Sequence, residues 1–215
     1  MYIRSINIGM PQMRERNGSD VLTGGDKQPV AGAYLGSLGF EGDGQADAVH
    51  HGGIDKAVCV YSFDHYGHWE TVLKRQLSPG SFSENLTIAG IDERTVCIGD
   101  IFRGGAALLQ VTQPRMPCTK LAGKHGEPQL VTWVEDTNFT GFYMRVLAEG
   151  RIAQGDTFEL VQPHADGISI AAVNDIIYKR VVDRELIAKL ANMPEFGASG
   201  RSIFAKRLAK LAEQQ

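Results

Sequence analysis

The sequence predicts a mainly β, barrel-like domain followed by a small bundle of three helices, an α+β chain overall. Three observations carry this. Glycine makes up 25 of the 215 residues and falls between short apolar runs, as at Gly24-Gly25, Gly52-Gly53 and Gly104-Gly105. There it supplies turns and close backbone approach. Near the N-terminus Ile3, Ser5 and Asn7 alternate with Tyr2, Arg4, Ile6 and Ile8, the period-two pattern of a strand. After Pro163 the apolar spacing changes to three and four, which is helical. The chain therefore divides into residues 1–165, mainly β, and residues 166–215, helical.

Each element follows in order. Apolar runs predict strands at residues 57–61, 85–88, 96–98, 100–103, 107–112 and 156–160. Short strands this closely spaced, with Gly-rich turns, suggest a barrel or strongly curved sheet rather than repeated βαβ units. One helix interrupts them at residues 64–76, with Tyr66, Trp69 and Leu73 on one face, Ser62 or Asp64 as cap and Ser78-Pro79-Gly80 as the stop. A second short helix is expected at residues 129–136. In the C-terminal part Ser169 caps a helix carrying Ala172, Ile176 and Ile177, and Asp183 caps one carrying Leu186, Ile187 and Leu190. Ser199 begins a third, with Ile203, Leu208 and Leu211 in a stripe. Three such helices are marginal alone and need a neighbour to pack on.

Composition narrows the function. Apolar residues are 43% and charged residues 22% of the chain, enough for a folded core. The net charge of −3 rules out duplex-DNA binding by bulk electrostatics. Apolar stretches such as Ala106–Leu109 are far shorter than the roughly 20 residues of a membrane span. The N-terminus MYIRSINIGM has no apolar h-region, so a soluble, cytoplasmic protein is expected. The three cysteines, Cys59, Cys97 and Cys118, form no CxxC pair, and a reducing compartment suits them as free thiols.

Three stretches carry candidate chemistry. The first runs from Gly42 to Lys56 (GDGQADAVHHGGIDK) and packs Asp, Gly, His50, His51 and Lys56 ahead of an apolar strand. It reads either as a ligand loop, with Lys and His donating to anionic groups, or as a turn-rich connection satisfying its own backbone. Metal ligation is the weaker reading: adjacent His50 and His51 would point to opposite faces of a strand, with no third ligand at a metal-specific spacing. His65 and His68, on one helix face near Trp69, fit packed or surface residues better. The second stretch is VTQPRMPCTK. Pro114 and Pro117 make it a stiff, extended loop that presents Cys118, with Arg115 and Lys120 near enough to favour thiolate. A thiolate serves as a nucleophile or as a soft-metal ligand. As a nucleophile it would need a base, for which His50, His51 and His125 are available. Cys59 and Cys97 lie in apolar runs and are expected in the core. The third stretch is FSENL, where Glu84 and Asn85 either hold a ligand's amide or amine edge or form a polar turn. Arg145 is either another anion contact or an exposed strand charge.

Together, GDGQADAVHHGGIDKAV, FSENL, IGDIF and VTQPRMPCTKLA resemble, in this order, the MOSC-domain family, named for the C-terminus of molybdenum-cofactor sulfurase. The likeness is to its YiiM-like branch, whose members carry a C-terminal three-helix domain, and covers nearly the whole chain. One departure is Ser83, where the family pattern usually has Gly. The resemblance implies a MOSC β-barrel-like domain holding molybdenum cofactor. Cys118 would be the catalytic molybdenum ligand, and His50, His51, Lys56, Glu84, Asn85, Arg115 and Lys120 would bind the cofactor. It also implies reduction of N-hydroxylated compounds such as hydroxylaminopurines, a detoxification of N-hydroxylated bases. Electrons would come from a separate flavin or iron–sulfur protein, since no GxGxxG follows a strand here. A sulfur carrier with a Cys118 persulfide and a non-catalytic metal- or small-molecule-binding module are the alternatives. Pyridoxal phosphate is not expected, for want of a dedicated Schiff-base lysine, and neither a nucleic-acid duplex nor a membrane is an expected partner.

Overall fold

The computed structural model describes residues 1–16, 18–47 and 51–213. His50, named above as a cofactor contact, lies outside the described residues. The N-terminal alternation forms β1 (Tyr2–Ile8), which buries Ile3 and Ile6. There follow a hairpin, β2 (Gln12–Arg16) and β3 (Ser19–Thr23), then β4 (Gln28–Val30), β5 (Gly32–Gly36) and β6 (Gly39–Phe40). Next come β7 (Val58–Ser62), β8 (Leu86–Ala89), β9 (Ile101–Gly104), β10 (Ala107–Pro114), β11 (Phe142–Ala148), β12 (Gly150–Ala153) and β13 (Phe158–Gln162). Eight of these form one sheet in the order β13-β9-β10-β11-β7-β8-β1-β4. The sheet closes on itself: Tyr2 bridges Thr157, Ile3 N–H donates to Asp156 O at 2.9 Å, and Phe158 N–H donates to Met1 O at 3.1 Å. Closure covers the free edge of β13 and gives the expected barrel, with β4 left as the end strand beside β1.

The pairings are antiparallel except β7 with β8. That parallel pair is joined through a 3₁₀ turn (Phe63–His65) and helix α1 (Tyr66–Leu73), so one βαβ crossover is present. Ser62 caps it by accepting from Asp64 N–H. The helix ends at Lys74, in the left-handed conformation, before the expected stop at Ser78-Pro79-Gly80. The strand expected at residues 96–98 does not form. Cys97 makes a single bridge to Ser169 and its N–H donates to the Asp100 carboxylate at 2.8 Å, which holds a turn. Cys97 is consequently half-buried rather than in the core.

Two helices follow β10: α2 (Thr119–His125) and α3 (Leu130–Thr137). At the C-terminus stand α4 (Ile170–Ile177), capped by Ser169, α5 (Arg184–Asn192), capped by Asp183, and α6 (Ala198–Ala212). The last begins at Ala198 with Gly197 as N-cap, one residue ahead of the expected Ser199. Apolar burial drives the packing of all three. One hydrophobic cluster joins barrel residues such as Ile3, Leu35, Phe102 and Phe158 to Ile170, Val173, Ile187, Leu190 and Phe204. A second cluster, with Tyr61, Tyr66, Trp69, Phe82, Leu121 and Leu130, lies beneath α1, α2 and α3. These helices brace the loops that carry the site.

Candidate functional site

A cavity of about 280 Å³ opens where four parts of the chain meet: the hairpin exit (23–27), residues 44–47 with His51 and Lys56, the loop 83–85 and the turn from β10 into α2. Its volume is near the lower end of small-molecule sites, which span about 300–1,000 Å³. The first two segments touch closely, since a Cβ on Gly24 would stand 2.2 Å from Gly44 O. Only a residue without a side chain fits there.

Cys118 follows the extended run that Pro114 and Pro117 stiffen, and it stands at the N-cap of α2. Burial alone would raise its pKa. A hydrogen bond from His51, the backbone N–H groups of Leu121 and Lys120, and the Arg115 guanidinium outweigh burial and bring the thiol down to about 7. Cys59 borders the same cavity from strand β7, but there burial dominates and pushes its thiol up to about 11. In cofactor-free protein, iodoacetamide should therefore label Cys118 first. The rate should rise with pH through a midpoint near 7 as the thiolate forms. Faster labelling of Cys59 or Cys97 at neutral pH would contradict this.

Around the thiol lie several cations. Arg16 is clasped by Asp26, at 2.6 and 2.7 Å, and Lys27 is paired with Asp43. Asp43 also accepts from Gly9 N–H and from Asn85 Nδ2, which ties the loop after Gly42 to the FSENL segment. Lys56 borders the cavity 6.0 Å from the centre of the Tyr143 ring, and burial lowers its pKa against Asp55 and Asp47. Lys120 lines the mouth and is exposed. Arg115 differs from all of these. It is only 7% exposed, it borders the cavity, and among the described residues its side chain has no carboxylate partner. A buried charge is ordinarily paired, so this guanidinium is suited to an anionic ligand.

Of the residues singled out from the sequence, His51, Lys56, Asn85, Arg115, Cys118 and Lys120 line this one cavity. Glu84 does not. It is fully buried, and its carboxylate accepts from Tyr66 Oη, Thr87 Oγ1 and the N–H groups of Gly80 and Phe82 at 2.5–3.0 Å. With its acceptors filled from within, it holds the 80–85 loop in place. His125 is likewise structural, bonded to Arg75 and to Ser81 O, and burial lowers its pKa to about 4. His65 pairs with Glu93 at 2.7 Å and stacks on Phe139, while His68 meets Trp69 and Phe139 edge-on. Among the described residues no group of three or more His, Cys, Asp or Glu is arranged to hold a metal ion. Arg145 is neither an anion contact in the cavity nor an exposed charge, because it pairs with Asp55 at 2.9 Å and donates to Glu195 O.

Among the cavity residues that sequence reasoning missed is Lys124. Lys124 donates to Gly25 O at 2.8 Å and Gly80 O at 2.7 Å, with Ser83 Oγ at 3.5 Å, and burial lowers its pKa to about 8. Its signal was the spacing of four from Lys120, which puts both on one face only once α2 is known to be a helix. Ser83 has φ +61°, the left-handed region, which accounts for Gly in the family pattern. Ser83→Gly should therefore stabilise the fold by about 0.5–1 kcal/mol, read as a higher urea midpoint. A lower midpoint would mean that the contact of Ser83 with Lys124 outweighs the strain.

Comparison with known proteins gives the family and the fold. Residues 47–159 match the MOSC domain, and residues 168–211 match the YiiM-like 3-alpha helix domain. YflK of Bacillus subtilis (strain 168), itself uncharacterized, is 46% identical over 210 residues, covering 97% of this chain and 95% of that protein. The crystal structure of YiiM from Geobacillus stearothermophilus superposes with a TM-score of 0.82 at 39% identity, over 96% of this chain and 98% of that one. A protein of Gibberella moniliformis (strain M3125 / FGSC 7600) named as a reductase is 33% identical over 165 residues, 75% of this chain but 29% of that longer protein. By sequence and by fold, then, the chain belongs to the MOSC-domain family, with the C-terminal helical domain of its YiiM-like members.

Proposed function

We propose that the chain is a molybdenum-cofactor-dependent reductase of N-hydroxylated compounds such as hydroxylaminopurines. One observation carries the reading: a thiol with pKa near 7 shares a cavity with a buried guanidinium that has no carboxylate partner among the described residues. The donor set suits the group. A soft metal prefers thiolate, which Cys118 offers from a support stiffened by proline at little entropic cost. The anionic tail of a pterin cofactor needs cations and N–H donors, for which Arg115, Lys56 and Lys120 stand ready. When bound, such a cofactor supplies two-electron reduction of an N–O bond, with uptake of two protons and release of water.

The protein's own part is to bind, orient and supply protons. His51, hydrogen-bonded to Cys118, favours the thiolate over the thiol. Asn85 fixes the loop opposite through Asp43. The electrons come from a separate flavin or iron–sulfur protein in this reading. The reductase-named relative supports the reaction class. Pyridoxal phosphate is not part of the proposal: the sequence offers no dedicated Schiff-base lysine, and Lys124 is engaged with two backbone carbonyls. Among the described residues no helix is long and apolar enough to cross a membrane, and a cytoplasmic site of action is part of the proposal.

Metal and sulfur analysis of protein made in a molybdenum-proficient host tests it. Stoichiometric molybdenum with turnover of a hydroxylaminopurine is the expected result. Cyanide-labile sulfur without molybdenum would replace it with a sulfur carrier bearing a Cys118 persulfide, a role open to the same thiolate. Neither would leave a binding module.

A further inference from the structure

We infer that the C-terminal helices act as a positioning clamp on the cavity, through Asp55. This carboxylate lies on the 3₁₀ turn Ile54–Lys56, one residue before Lys56 and four after His51. It reaches away from the cavity in two directions. Oδ1 pairs with Arg145 at 2.9 Å, and Arg145 in turn donates to Glu195 O at 2.9 Å. Oδ2 accepts from Ala198 N–H at 2.7 Å, the first helical amide of α6. In that position the carboxylate serves an otherwise unpaired amide at the positive end of a 15-residue helix.

A second set of bonds grips the other half of the site. Gly197 N–H donates to Thr112 O at 3.0 Å, Ser199 Oγ donates to Gln113 Oε1 at 2.9 Å, and Thr112 Oγ1 donates to Asp55 O at 2.6 Å. Thr112 and Gln113 lie near the end of strand β10, just before Pro114 and ahead of Arg115 and Cys118. The connection between α5 and α6 thus fastens the turn bearing Lys56 to the strand that delivers Cys118. The fit is tight: a Cβ on Gly197 would come within 2.3 Å of Gln113 Oε1. Asp55 touches no cavity ligand and is a positioning residue. The inference rests on reading this cavity as the functional site, but its test needs neither molybdenum nor turnover.

Ala198→Pro deletes the backbone N–H that Asp55 Oδ2 accepts. Proline is well tolerated at the first position of a helix, and Gly197, at ψ 142°, already has the backbone that precedes proline. The reporters are the amides of His51, bonded to Asp47 O, and Lys56, bonded to Gly53 O. In the full-length protein their hydrogen exchange should speed up about tenfold or more in Ala198→Pro, as expected when a charge-assisted bond holding a local unit is lost. Ile187→Ala, which loosens the packing of α5 at a buried position ahead of the 193–197 connection, should lower Tm at least as much while leaving these two amides near wild type. Wild-type exchange at His51 and Lys56 in Ala198→Pro would overturn the inference, and so would an equal acceleration in Ile187→Ala. Should Ala198→Pro not fold, Asp55→Ala, which removes both acceptors, is judged by the same two amides.

Discussion

Cys118→Ser should keep the fold and abolish reduction of a hydroxylaminopurine. Serine differs from cysteine by one atom and can occupy the same half-buried N-cap of α2, so Tm should move by no more than a few degrees. The hydroxyl is a hard, weakly acidic donor that cannot replace a thiolate at a soft metal. The pKa near 7 also means that wild-type protein presents a large thiolate fraction at neutral pH, whereas serine presents essentially none. Lys56→Ala provides the contrast. Removing one cation that faces the anionic end of a ligand should weaken cofactor retention by about 1.5–3 kcal/mol, which lowers molybdenum occupancy without eliminating turnover of the loaded fraction. Cys118 would touch the reacting centre and Lys56 its anchor. If Cys118→Ser, supplied with cofactor and an electron donor, reduces substrate as fast as wild type, the ligand assignment is wrong.

Part of this site was readable from residue order, and part was not, for physical reasons. Strands β1, β7, β8, β9 and β10 show as apolar runs because each buries much of its length in the barrel. The β2–β3 hairpin escapes such a reading. Its strands pair only with each other and expose Met13 and Leu22 alongside charged neighbours, so alternation carries no signal of burial. Yet the hairpin supplies Arg16, Val21 and Thr23 to the cavity wall. Helix α2 was hidden for a different reason. The prolines at 114 and 117 argue for extended chain and Gly123 argues against helix, but the helix starts only at Thr119, and it is the cap position that brings Cys118 near the amides of Lys120 and Leu121. The pairing of Lys27 with Asp43 joins residues 16 apart in sequence, on loops that also meet Gly9 and Asn85 only in the folded chain, which no local pattern encodes. The three polar stretches meet on one cavity because each adjoins a barrel strand and neighbouring strand ends open on one mouth.

Glu84→Gln separates the two meanings that its motif allowed. If the carboxylate served a ligand, the amide would weaken ligand binding and leave stability nearly untouched. The geometry calls for the reverse. Four donors converge on this side chain from Tyr66, Thr87, Gly80 and Phe82, and the chain of bonds continues from Asn7 Nδ2 to Thr87 Oγ1 and from Ser5 Oγ to Asn7 Oδ1. Every member is buried, so no water can enter to satisfy a group that loses its partner. Glutamine removes the negative charge and turns one acceptor into an NH₂ group facing the donors. Either the Phe82 N–H or the Oε1 side of the network is then left unsatisfied, and the charge-assisted bonds become neutral ones. Each unsatisfied buried donor costs about 1–3 kcal/mol, and losses within one connected network exceed those of isolated bonds. Urea unfolding should show a loss of about 3–5 kcal/mol, among the largest for any single polar substitution in this chain. Ser83 and Asn85 flank Glu84 and both line the cavity, so iodoacetamide should also reach Cys59, shielded in wild type, at a measurable rate in the variant. A loss below about 1 kcal/mol, with Cys59 still protected, would show that the loop holds its shape without Glu84 and would return this carboxylate to the list of candidate ligand contacts.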